Sequence, residues 1–392
     1  LEVHLMPRRS EFVLDGIPLH QKNRTLRMTK VYTGQRFTSQ TVLTDDVFTY
    51  VSFFFSSHRK AMKFVDHQNQ TKYGNPNQYG YEFYWKQSEI FYRAAQQMPI
   101  EAAPVAAYYC MLNAAKSYLS YTSESVDAFV EEFGLHGLNE DNNDLGEDIS
   151  TISIKHKQKG VFPLFANSLD ADFLSLWPLG ISHTLKSLLY NLPFVHRTFS
   201  MTYSSRSSKV DELFIPLTVG DMPKYYRGND GKAYLAVDLD RSYFPPNAQT
   251  IPSGTLAMIS SDFVPYNNAG LKLISTAGVR YNSNSISNEL KELNDNLRKN
   301  FSYIRGAKRL WYLKKTRSTT PGVLNLCNLT INMAAMHRLS EIARYKPEQL
   351  NRLMHSKENW LIHEFISQSL DQFIDELAAQ ITKQDIMGIN QK

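Results

Sequence analysis

"HRLSEIARYKPEQLNRLM", residues 337–354, decides how the C-terminal part of the chain folds. Upstream of it, "PGVLNLCNLTINMAAMHRLSEIARY" carries apolar residues at three- and four-residue intervals, which predicts a long helix from Pro321 to about Tyr345. Pro347 then opens a second, short helix, where its missing N–H costs nothing. Ser356 is placed to cap a last helix, in which Ile362, Ile366, Leu370, Phe373, Ile374, Leu377 and Ile381 form a core stripe. His337, Glu341 and Arg344 fall at i, i+4 and i+7 of the first helix. An acid–base pair so spaced can transfer protons, but an intrahelical ion pair has the same spacing without chemistry. The stretch therefore reads as a structural bend. Arg344 and Tyr345 are expected to tie the two helices together through carbonyls freed near Pro347.

Helical patterns also dominate earlier in the chain. "YEFYWKQSEIFYRAAQQM" is followed by Pro99 and Pro104, then by "VAAYYCMLNAAKSYLSY". In the second, Val105, Tyr108, Tyr109, Leu112, Ala115, Lys116 and Leu119 predict the buried face. "SVDAFVEEFG" reads as a helix ending at Gly134, and "ISHTLKSLLYNLPFVH" as one stopped by Pro193. "ISTISIKHKQKGVFPLF" alternates and turns at Gly160, as in a strand pair. Residues 66–80 read as a loop. Residues 1–50 read as short extended segments with scattered basic residues. Residues 200–280 are rich in Tyr, Val, Thr, Ser, Gly and Pro: "RGNDGKAYLAVDLD" is a hairpin signal, and "GTLAMIS" and "GLKLISTAGVRY" read as strands.

The chain has 392 residues, 42% apolar and 21% charged, which points to a soluble globular class rather than a disordered one. The apolar stretch 102–112 is too short to span a bilayer, and no apolar segment of a secretory signal follows Arg8 and Arg9. The first residue is Leu1 rather than Met, so the native start is expected to differ. Cys110 and Cys327 lie in apolar contexts and are expected as free buried thiols. With no paired-cysteine motif, a structural zinc site is not expected. A cytoplasmic location and no resident cofactor fit these features.

The formal net charge of +5 is unevenly placed. "RKNFSYIRGAKRLWYLKKTR", residues 298–317, holds eight of the 43 Lys and Arg and no acid, leaving 35 basic against 38 acidic residues elsewhere. If 302–315 is helical, Arg305, Lys308, Arg309, Tyr312 and Lys315 share one side. Cations there would neutralise phosphates with counterion release, and the interleaved aromatics could stack bases. Arg298, Lys299, Arg305, Lys308, Arg309, Tyr312, Lys314, Lys315 and Arg317 are thus the candidate nucleic-acid contacts. The alternative is a solvated basic helix with its aromatics in the core. Asp238 and Asp240 in "VDLDR", read as one face of a strand, could hold Mg²⁺ in a nuclease. The acidic run 139–148 does not match a calcium loop and reads as solvated. Phosphate-binding glycine loops, nucleophile elbows and zinc-protease motifs are absent from the sequence.

Several stretches together resemble the YaaC-like proteins of bacteria. "LSEIARYKPEQLNRLMHSKENWLIHEFI" (Leu339–Ile366) is similar to that family's C-terminal signature. "PVAAYYCMLNAAKSYL", His136–Leu138 with "ISIKHKQKGVFPLF", and "LKSLLYNLPFVH" resemble its other segments in order. The resemblance would map the family's recurrent residues to His136, Gly137, Gly160, Phe162, His196, Arg344 and Tyr345. The helical pattern also resembles HEPN domains, but no Arg here is followed four to six residues later by the His their RNase chemistry requires.

The expectation is an α+β protein. An extended N-terminal region (1–80) precedes a helical region with a hairpin (81–199). A β-rich insertion (200–280) separates this from a C-terminal helical region (281–392) that packs back on the first. The expected function is nucleic-acid binding, by analogy within a bacterial anti-phage defence or stress assembly. The alternatives are a metal-dependent nuclease using Asp238 and Asp240, and a scaffold that binds an acidic protein partner through 298–317.

Overall fold

The computed structural model describes residues 13–37, 41–58, 64–65, 71–72, 80–122, 132–140, 148–205, 209–267, 270–282, 284–306, 310–318 and 322–388. The fold is α+β, with twelve α-helices among the described residues. In chain order they are α1 (Val47–Ser57), α2 (Gly80–Gln97), α3 (Ala103–Thr122), α4 (Val161–Leu169), α5 (Phe173–Leu176), α6 (Leu185–Tyr190), α7 (His196–Tyr203), α8 (Ser253–Leu256), α9 (Ile286–Leu297), α10 (Asn328–Tyr345), α11 (Pro347–Met354) and α12 (Asn359–Thr382). One large apolar core joins α1–α4, α6, α7 and α10–α12. A second lies between an antiparallel sheet, α9 and the hairpin Phe301–Lys314.

The helical core follows from composition. α3 is apolar nearly all round and is buried on most of its surface, as an all-apolar helix must be. Its deepest side is Ala106, Ala107, Cys110, Met111 and Ala114, small residues that let neighbouring helices approach closely. Val105, Tyr109, Leu112 and Lys116, predicted on the core face, are the half-buried side instead. The α12 stripe is buried as predicted, from Ile362 to Ile381. Pro347 occupies the first turn of α11. Ser356 Oγ accepts the Glu358 N–H just ahead of α12, 3.1 Å away. Cys110 and Cys327 are buried free thiols.

The principal sheet runs Leu14–Pro18, Lys224–Gly228, Lys232–Asp238, Lys272–Ser275, Phe263–Pro265, with Val279–Arg280 also on Lys232–Asp238. The predicted hairpin forms over Lys224–Asp238, with Tyr226 opposite Tyr234. The β-rich unit extends beyond 200–280, because residues 19–37 and 286–313 share its core. Ile386–Gly388, beyond α12, pairs in parallel with Val42–Thr44.

Four local expectations are corrected. "GTLAMIS" forms the short helix α8 rather than a strand. After Gly160 the chain enters α4, and Ser153–His156 pairs instead with Leu138–Glu140 and His183–Thr184. The long C-terminal helix begins at Asn328, with 322–327 irregular before it. The run 302–315 is not helical: Phe301–Ile304 and Leu310–Lys314 form an antiparallel hairpin, joined on its other edge by Phe214–Pro216. The reason is alternation: Phe301, Tyr303, Trp311 and Leu313 all fall on buried positions of the two strands. The predicted helix over 125–134 lies mostly outside the described residues, as do most of 66–80 and of the acidic run 139–148.

Candidate functional site

The hairpin geometry redistributes the basic run. Arg298 is fully buried. Its guanidinium donates to the carbonyls of Thr29 (2.8 Å), Lys30 (3.0 Å) and Phe301 (2.6 Å) and lies 4.2 Å from the Tyr32 ring centroid. Lys314 and Lys315 are each 4% exposed: Lys314 donates to Leu324 O and Lys315 is ion-paired to Asp211 at 2.8 Å. Arg305 is ion-paired to Asp371 at 2.6 Å. Tyr312 is half-buried, with its ring edge-on to Phe214. Lys299 and Arg317 are exposed, while Lys308 and Arg309 lie outside the described residues. Of the run, Arg298, Lys314 and Lys315 thus serve the interior rather than a surface. A strand pair places alternate residues inward, where a helix would have gathered the cations on one side.

The two carboxylates are engaged by different partners. Asp238 pairs with Lys272 at 3.4 Å. Asp240 lies beyond the strand end and caps the turn Arg241–Tyr243, accepting the Ser242 N–H at 2.8 Å. Among the described residues no group of three or more His, Cys, Asp or Glu could hold a metal ion.

A different cluster does converge. α10 buries His337, which is 1% exposed, against the edge of Tyr108 on α3, with centroids 4.6 Å apart. The His136 ring centroid stands 4.8 Å from that of His337. His136 is locked by its neighbours. Its Nδ1 accepts the Leu138 N–H (3.2 Å), which leaves the proton on Nε2. Its carbonyl accepts the Phe162 N–H at 3.0 Å. Gly137 (φ +83°) and Gly160 (φ +126°) make this crossing possible. A Cβ on Gly160 would lie 2.5 Å from the Gly137 backbone, so neither position accepts a side chain without rearrangement.

One turn beyond His337, Glu341 Oε2 lies 3.6 Å from His337 Nδ1 and 3.4 Å from Arg338 Nη1. Arg344 sits a further turn out, its Nη1 3.5 Å from Tyr109 OH and its guanidinium 5.0 Å from the Tyr345 ring. Tyr345 is 72% exposed. Arg344 does not reach carbonyls at the bend: its Nε donates to Ser340 O, one turn back in α10. The bend itself needs only Pro347.

The electrostatics are those of two histidines held neutral. Burial, then Lys157 and Arg344, push His136 below the ordinary imidazole range. Burial pushes His337 well below it, with His136, Arg344 and Lys157 adding to the effect. Burial raises the Glu341 carboxyl against the pull of Arg338. His337 Nδ1 and Tyr108 OH are buried with no hydrogen-bond partner among the described residues, an arrangement uncommon in folded proteins. An anion between Lys157, Arg344 and the imidazoles would be matched by two fixed cations and would favour protonation of His136.

Sequence reasoning selected His337, Glu341 and Arg344 but read them as a bend. It missed Tyr108, His136 and Lys157 as members of one site, because they come from α3, from the residue before Gly137 and from the end of the Ser153–His156 strand. The available signal was the quoted His136–Gly137 and Gly160 pattern.

This is an α+β chain with a histidine–arginine cluster at the junction of α3, α10 and a glycine crossing. The chain belongs to the YaaC-like protein family, whose sequence model matches residues 39–381. No curated protein and no solved structure matches it significantly, and nothing found supports the HEPN likeness. No helix among the described residues is long and apolar enough to cross a membrane.

Proposed function

We propose that this YaaC-like protein binds single-stranded nucleic acid at the His136–Arg344 cluster, taking a backbone phosphate there and stacking a base on Tyr345. The observation that supports this reading most is the adjacency of Arg344 and the exposed Tyr345 beside a neutral histidine pair. A cation beside an exposed ring is the pairing single strands use: charge tracks the backbone, and every base has a π-face. Lys157 and Lys159 extend exposed positive charge from the Ser153–His156 strand toward Gly160. Glu140 and Glu341 do not cancel it, since both lie within 3.5 Å of Arg338 and Glu140 also lies 3.6 Å from Lys346.

The test is fluorescence anisotropy with labelled single-stranded RNA, single-stranded DNA and duplex DNA over a salt series. Affinity is expected to fall as salt rises. Tyr345→Ala is expected to weaken single-strand binding by about 1–3 kcal/mol, and Arg344→Met to flatten the salt dependence. Bound phosphate favours the imidazolium, so affinity should rise as pH falls toward the depressed His136 range. His136→Gln should remove that rise. Absence of binding at low salt, or binding indifferent to both Tyr345→Ala and Arg344→Met, would sink the proposal.

A further inference from the structure

On the far side of α10 from the bend, the helical core and the β-rich unit leave a cavity of about 530 Å³ between them. That is within the usual range for small-molecule sites, which favour such junctions. Its walls come from the Tyr32–Thr33 segment, the end of α4, α5, Ser260 and Asp262, the α9 end with Lys299–Asn300, the end of the hairpin at Lys314 and Thr316, and Asn325. Tyr32 and Leu169 give it two apolar surfaces.

Its polar groups are partly committed and partly open. Asp170 Oδ2 accepts the Cys327 N–H at 2.8 Å. Asp262 Oδ2 accepts from Ser260 Oγ (2.7 Å) and Asn300 Nδ2 (3.0 Å). Lys314 is 4% exposed and lines the cavity, with one of its three N–H groups spent on Leu324 O. That leaves one Asp170 oxygen, one Asp262 oxygen and the remaining Lys314 donors. Asp172 and Asn325 also line the cavity. Four aspartates against two lysines make the lining net acidic, which disfavours a phosphorylated or dicarboxylate ligand. The lining instead sets acceptors and donors beside apolar surface, as a hydroxyl-rich ring requires.

We infer that this cavity is a second, separate binding site, for a hydroxyl-rich neutral or amine-bearing small molecule of sugar size. Asp170 and Lys314 form its floor, and Asp172 and Asn325 its rim. The titration of the floor is consistent with polar work there. Burial pushes Asp170 up to about 6, and burial brings Lys314 down to about 8, which lets either group donate or accept near neutral pH.

The test uses the full chain and three probes: glucose, glucosamine and glucose 6-phosphate, each at about 10 mM, suited to millimolar affinity. The readout is saturation-transfer NMR. Glucose and glucosamine should receive saturation and compete with each other, with glucosamine the tighter and glucose 6-phosphate the weakest. Asp170→Asn and Asp172→Asn should each weaken glucosamine about tenfold, the effect of one charge-assisted hydrogen bond. Asp172 is exposed, so its variant keeps the fold and isolates the ligand effect if Asp170→Asn is unstable. Saturation in none of the probes, preference for glucose 6-phosphate, or binding unchanged in both variants would each overturn the assignment. Tyr345→Ala should leave glucosamine binding as in the wild type, which separates this cavity from the proposed nucleic-acid site.

Discussion

Arg298 shows how a single side chain can be misread from its neighbours in sequence. In a run of eight cations it looks like surface, yet its fork closes three backbone carbonyls from two separate segments. Lysine cannot reproduce that planar fork. Arg298→Lys is expected to destabilise the fold by about 2–3 kcal/mol, and Arg298→Ala by more, because buried acceptors are left unsatisfied. Urea unfolding checks this, and a change under about 0.5 kcal/mol would contradict it. His196 carries a second prediction. Its Nε2 accepts the Leu213 N–H at 3.1 Å, and burial brings it down to about 4; burial brings His183 to about 4 as well. The unfolded chain protonates these rings from about pH 6.5 downward while the folded chain resists. Their contribution is complete above that pH and is lost toward pH 4. Asp170, raised to about 6, runs the opposite way below pH 6. The thermal midpoint should therefore fall on acidification below pH 6.5, and His196→Gln should reduce the slope.

At the scale of elements, the glycine crossing is the most constrained feature. Gly137 and Gly160 touch backbone to backbone, both with positive φ, and this contact aims His136 at α10. Gly160→Ala puts a Cβ against backbone that has no flexible end to move. It is expected to cost on the order of 3 kcal/mol, with His136 displaced. Alanine at Gly231, also at positive φ but with open space around its Cβ position, should cost only about 1 kcal/mol. Comparing the two melting curves separates a packing demand from a dihedral one. The elements were legible where periodicity was strong: the α12 stripe, the Lys224–Asp238 hairpin and the proline start of α11 all stand as read. They were not legible where aromatic residues satisfied both periods. In 298–317 the alternation that buries Tyr303 and Trp311 is also compatible with one side of a helix, and charge spacing pointed the wrong way.

The whole molecule is held by polar stitching along α12. Gln372, Asp375, Glu376 and Gln380 are buried on this helix. Asp375 binds Lys30 and accepts from Tyr303 OH at 2.6 Å. Glu376 accepts from Tyr32 OH at 2.7 Å, and Gln380 Oε1 accepts the Tyr32 N–H at 2.8 Å. One helix face thus seats both the segment around Lys30 and the hairpin at Tyr303, joining the β-rich unit to the helical core. Asp375→Ala leaves the Lys30 ammonium buried beside fewer acceptors and is expected to cost about 3–5 kcal/mol. Loss of a single cooperative transition in that variant would show that the two units are coupled through this contact. A change under about 1 kcal/mol would contradict the stitching.

The sequence by itself determined the class of fold, the helices with one clear apolar stripe, the hairpin with a tight turn, and the family resemblance. These are local properties, set by period and turn chemistry within a few residues. Only the tertiary structure decided which cations are interior, which histidines meet and where a cavity opens. Arg298, Asp375 and His337 are polar residues whose burial depends on partners up to hundreds of positions away. Polar residues at helical spacing look alike whether water or Lys30 satisfies them, so pattern alone does not distinguish a solvated face from a buried network.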